Sequence, residues 1–127
     1  MLVDGRFEAF KSVLDIDGVF DRVGGNTELL ALILEKFRQS YGNVPERIRA
    51  LVVQGDRQEA IMQVHALVGA AANVGAVEVA AAAATLERLL RQDGAGDCNP
   101  CLDNLEMALI PLLRLLDDFV QSGGNDA

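Results

Sequence analysis

Tryptophan is absent from this 127-residue chain, histidine and tyrosine occur once each, cysteine twice and proline three times. One imidazole (His65) and two thiols (Cys98 and Cys101) fall short of the four ligands a structural zinc site usually needs, so no metal site is expected. Cys98-Asn99-Pro100-Cys101 has the spacing of a redox pair, but no βαβ pattern surrounds it, and it reads as two incidental thiols. Basic residues are scarce: 11 Lys and Arg stand against 19 Asp and Glu, a formal net charge of -8. That balance argues against nucleic acid or an anionic membrane as the main partner, because both reward positive charge. No run approaches the ~20 apolar residues of a membrane span. The opening MLVDGRFEAFKSV has no basic region followed by a long apolar core, so no signal peptide is expected and the cytoplasm is the default compartment. Alternating β-branched runs closed by hairpin turns are missing too, which leaves little room for strands.

What is present is a hydrophobic half (50%) with 24% charged residues, a mixture suited to a folded chain rather than a disordered one. The length suits one domain that buries roughly two-thirds of its unfolded surface without a staple.

Helix punctuation recurs along the sequence. A short helix is expected from about Asp17 to Val23, ending at Gly24-Gly25. Asn26 is placed to cap the next, with Leu29, Leu30, Ile33, Leu34 and Phe37 on one face and an end near Tyr41-Gly42. Asn43 with Glu46 reads as a capping box, Pro45 being tolerated in the first turn, and Gly55 stops that helix. Asp56 with Glu59 reads as a second box opening a helix to about Asn73, with Gly75 as the break. An alanine-rich helix from about Ala76 to Arg91 follows, then a loop at 93–97. Asn99 and Pro100 would open a last helix bearing Leu102, Leu105, Leu109, Leu112, Leu113 and Leu116, kinked at Pro111. Short connections between successive helices favour antiparallel neighbours. The expected architecture is therefore all-α: an up-and-down antiparallel four-helix bundle over 14–121, with short extra helical structure near the N-terminus. Residues 1–13 are read as a linker or an extension of the first helix, and 122–127 as a frayed tail.

Stepping about 100° per residue along the helix opened by Asp56, Ala60, Val64, Leu67, Ala71 and Val74 fall on one seam, the side that faces a core. His65 lies about 140° from that seam, on the solvent side. Gly69 follows one turn later at a cost of about 1 kcal/mol relative to alanine, which makes sense if something must approach closely. Ile61, Met62, Val68 and Ala72 add apolar surface around the imidazole, in the manner of a docking patch.

The run His65-Ala66-Leu67-Val68-Gly69-Ala70-Ala71-Ala72-Asn73-Val74-Gly75-Ala76 resembles the signature of histidine-containing phosphotransfer (HPt) domains, His-x-Leu-Lys-Gly followed by small residues and a later glycine. Upstream, Phe20-Asp21-Arg22-Val23-Gly24-Gly25-Asn26 with Leu29-Leu30 is similar to the family's short first helix and Gly-Gly turn, and Gly55-Asp56 to its turn into the histidine helix. The likeness spans about 14–121. Val68 departs from the pattern, standing where the family has a lysine thought to offset the phosphoryl charge. Arg57 lies two turns away on the same helix, and Arg88 and Arg91 lie on the neighbouring one.

The resemblance implies a phosphocarrier rather than an independent enzyme. His65 would accept and donate a phosphoryl group to and from receiver-domain aspartates, its Nε2 attacking in line. Ile61, Met62, Val68, Gly69 and Ala72 would form the docking surface, and Leu67 would be core. The chain itself would need no cofactor, Mg²⁺ being expected on the partner, a response-regulator receiver domain or a hybrid sensor histidine kinase. A monomer is the default. The alternative is a degenerate adaptor that binds a receiver without carrying phosphate, motivated by Val68. A metal- or small-molecule-binding bundle fits poorly with an aliphatic core.

Overall fold

The computed structural model describes residues 5–92 and 96–121. The expected tail at 122–127, residues 1–4 and part of the 93–97 loop lie outside them. A 3-10 helix (Gly5–Ser12) is followed by α1 (Ile16–Arg22), α2 (Thr27–Tyr41), α3 (Val44–Val53), α4 (Arg57–Asn73), α5 (Val77–Arg91) and α6 (Asn99–Gln121). The described residues contain no strand, and the fold is all-α.

The helix starts follow local chemistry. Asn26 accepts the Leu29 N–H at 3.0 Å and Asp56 the Glu59 N–H at 3.3 Å, each satisfying a first-turn donor that has no partner within its own helix. Only half of the second box forms. The Asp56 N–H turns back to the Leu51 carbonyl, and the Gly55 N–H to that of Val52, closing α3 with a left-handed glycine. The Asn43 box does not form: Asn43 makes no side-chain cap, because Gly42 keeps right-handed helical angles and Asn43 is not extended. The chain thus hardly leaves helical geometry between α2 and α3. Asn99 is likewise not the cap of α6. It lies inside the helix, where its N–H reaches the Asp97 carboxylate and its side-chain oxygen serves Arg49. Pro111 is accommodated within α6.

Two arginines show how the arms are laid. On α3, Arg49 bonds Asp103 of α6 at 2.6 Å; on α2, Arg38 bonds Asp117 at 3.3 Å. Moving back along α2–α3 moves forward along α6 by a similar span, so α2 and α3 form one interrupted arm antiparallel to α6. This arm, α4, α5 and α6 make the bundle, with α4 packed most extensively on α5. Its interior is aliphatic: Leu30, Leu34, Ile48, Val64, Leu67, Leu86, Leu105 and Leu109 are sealed from solvent, and no polar or charged residue is buried among the described residues.

Residues 5–12, read from sequence as a linker or part of the first helix, form a separate 3-10 helix that buries Phe7 and Phe10 against Phe119 of α6, with ring centroids 5.3 and 5.7 Å apart. In a 3-10 helix residues three apart eclipse, so these two rings share a side. The same N-terminal region clamps the α4–α5 turn. The Asp15 N–H donates to the Gly75 carbonyl at 2.8 Å, and Arg22 to the Asn73 carbonyl at 2.8 Å. Gly75 is required twice over. Its φ is +74°, and a Cβ there would lie 2.9 Å from a Val19 methyl and 3.0 Å from the Asp15 carbonyl oxygen.

Candidate functional site

The seam read from the sequence is the buried face of α4: Ala60, Val64, Leu67 and Ala71 are inaccessible and Val74 nearly so. Burying that face fixes the rotation of α4 and turns His65 outward, its side chain 70% exposed. Its Nδ1 lies 2.9 Å from Oε2 of Glu87 on α5. That same oxygen accepts Nε of Arg91 at 2.9 Å and Nη2 at 2.7 Å.

Glu87 is only 14% exposed at its side chain. Burial pushes its carboxyl up, but hydrogen bonds from Arg91 and then His65 outweigh this and hold it below the usual glutamate range. It is therefore a carboxylate at neutral pH and can only accept. The shared hydrogen bond must come from Nδ1–H, so the neutral ring keeps its free lone pair on Nε2. A carboxylate behind an imidazole fixes both tautomer and ring orientation, as in metal-bound and catalytic histidines.

The surroundings of the ring differ partly from the sequence reading. Met62 is 64% exposed, and Gly69 and Ala72 are open to solvent. An alanine-type Cβ on Gly69 would meet nothing within 4 Å, so no contact inside the protein demands the glycine. Ile61 is not part of a free surface. It is 8% exposed, and on α4 it stands one turn from both Arg57 and His65, whose side chains reach α5. Val68 is half-buried against the core. On the other flank the Tyr41 hydroxyl approaches the Ala66 carbonyl at 3.5 Å.

The cations weighed from sequence are sorted by their contacts. Arg57 is committed to the carbonyls of Leu90 and Gln92, and Arg88 to the Thr85 hydroxyl. Arg91 reaches the histidine through Glu87. Glu87 itself was missed: nothing local marks it, although His65 and Glu87 stand at similar distances before and after the Gly75 turn. The i,i+4 spacing of Glu87 and Arg91 signals only a helix-surface ion pair and does not point to the histidine. Cys98 is buried and Cys101 half-buried, both free. Among the described residues no group of three or more His, Cys, Asp or Glu could hold a metal ion, and no helix is long and apolar enough to cross a membrane.

These features define a class: a helical bundle presenting one oriented imidazole on the outer face of a central helix. The Hpt domain family model matches residues 32–122, from within α2 to the end of α6, and the chain belongs to the Hpt domain family. Hpt domains are phosphocarrier modules of phosphorelays, where they interact with receiver domains and kinases. No curated protein and no solved structure matches the chain.

Proposed function

We propose that this Hpt domain is a cytoplasmic phosphorelay intermediate in which His65 carries the phosphoryl group. The observation that carries the reading is the exposed imidazole with Nδ1–H engaged by Glu87, which leaves the Nε2 lone pair facing outward. The Nε2 atom attacks the phosphorus of a receiver's aspartyl phosphate. The Nε2–P bond forms, the O–P bond breaks, and the aspartate leaves as a carboxylate. The ring then bears positive charge, and Glu87 lies against the proton on Nδ1 to balance it. Phosphoryl transfer asks for alignment and charge neutralisation more than for covalent help, and Mg²⁺ held by the partner receiver supplies much of the latter. Met62, Gly69 and Ala72, with the accessible edge of Val68, form the surface on which a receiver domain, free or part of a hybrid sensor kinase, settles over a single copy of the chain.

Incubation with a phosphorylated receiver should transfer label to the chain, and His65→Gln should abolish it while the helical signal is unchanged. Label that survives acid, or that persists in His65→Gln, rejects the carrier. One observation favours a second reading, an adaptor that docks a receiver without accepting phosphate: the position three residues after the histidine is the apolar, half-buried Val68. The adaptor predicts receiver binding in both wild type and His65→Gln, with no phosphohistidine in either.

A further inference from the structure

We propose that Arg91 is the positive member of the phosphotransfer site and prolongs the life of phosphohistidine at His65 by neutralising Glu87. The inference rests on His65 being the phosphoryl carrier and names the residue that makes the carrier durable. Phosphorylation places roughly two negative charges on a ring whose other nitrogen already faces a carboxylate. Among the described residues Arg91 is the cation in hydrogen-bond contact with that pair. Its guanidinium lies within two consecutive hydrogen bonds of the imidazole, and its side chain remains 55% exposed. Arg57 and Arg88 are spent elsewhere, and Val68 offers no charge from α4.

Two consequences of Arg91 point the same way. It offsets the Glu87 charge that would otherwise repel the phosphoryl group. It also draws on the very oxygen that accepts from Nδ1–H, which weakens the pull of the carboxylate on that proton. A ring protonated on Nδ1 and phosphorylated on Nε2 is the form from which the N–P bond breaks most readily, because the imidazole then leaves neutral. Without Arg91, Glu87 would hold the ring in that form for more of the time. Water would then attack the phosphorus sooner, releasing inorganic phosphate and restoring the free Nε2.

The test uses the full chain and phosphoramidate, a small donor that needs no receiver: its P–N bond breaks, the nitrogen leaves as ammonia, and Nε2–P forms. Decay of the label is followed at fixed pH by intact mass in wild type, Arg91→Ala and Arg91→Lys, with melting temperatures measured in parallel. Arg91→Ala should shorten the half-life by about three- to tenfold, the scale of one partly exposed charge-assisted contact. Arg91→Lys should stay within about twofold of wild type, since charge rather than shape is at issue. In a Glu87→Gln background the alanine substitution should change little, as expected for a residue acting through its neighbour. Equal half-lives in wild type and Arg91→Ala overturn the proposal, as does a lysine variant that decays as fast as alanine. A full further loss in the Glu87→Gln background overturns the route through Glu87. Failure of the wild type to take label overturns both this proposal and the carrier reading; labelling with unchanged decay overturns this one alone.

Discussion

The two faces of α4 obey opposite rules. Inward, Ala60, Val64, Leu67 and Ala71 meet no solvent and lie in a wholly apolar core. Outward, the same helix carries an exposed imidazole, a glycine with open space above it and a bare methionine. The inner face contributes stability and sets the rotation of the helix; the outer face gives up some helix propensity at Gly69 to expose chemistry. If that division is sound, substitutions two residues apart on the helix should separate folding from transfer. Leu67→Ala removes a fully buried side chain and leaves a cavity. It should cost about 2–5 kcal/mol of unfolding free energy in a denaturant titration, while label acceptance per folded molecule stays near wild type. A loss of acceptance in the folded fraction as large as that of His65→Gln would break the comparison, because it would place the inner face in the chemistry.

Much of the helix plan was legible because punctuation is local. Asn26, Asp56, Gly55 and Gly75 each act on donors or carbonyls a few residues away, and the seam of α4 needs only the helical repeat. What sequence could not supply depends on distant neighbours. The failed cap at Asn43 reflects α2 and α3 forming one arm along α6, an arrangement seen only in contacts between residues 54 and 79 apart in sequence. The Phe7 and Phe10 burial requires knowing where Phe119 comes to rest, and their spacing of three, which suits a 3-10 helix, was the available hint. At the site, His65 and Gly69 announced themselves on one helix, whereas Glu87 required the register between two. Ile61 shows the converse error. A wheel drawn on an isolated helix left it outside, and packing in the bundle took it in.

The boundary between the faces runs through Glu87, partly shielded yet bonded to an exposed ring, and acid titration tests on which side it falls. Its carboxyl is held lower in the folded chain than in the unfolded one. Its contribution is therefore fully present above the unfolded glutamate pKa of about 4.3 and is lost as the pH falls through the lower folded value. Relative to Glu87→Gln, the wild type should be more stable by about 1 kcal/mol near neutrality, an amount suited to a shielded pair in a network. The gap should close below about pH 4. A gap that widens on acidification would mean that the carboxyl is held neutral by burial, and the assignment of the Nδ1–H tautomer would fall with it.

The smallest effect carries the most specific information. Gly69 has no conformational need for glycine, since it lies inside a regular helix, and a methyl there would touch nothing. Gly69→Ala should therefore stabilise the chain by about 0.5–1 kcal/mol through helix propensity and reduced freedom of the unfolded chain. A receiver that descends onto His65 must pass close to that methyl one turn away, so transfer from a phosphorylated receiver should slow. Labelling by phosphoramidate, which needs no close approach of a protein surface, should not. Opposite signs for stability and receiver transfer, with the small donor unaffected, would locate the partner's footprint on the outer face. If both donors slow equally, Gly69 acts on the imidazole itself; if neither does, the receiver approaches from another side of the ring.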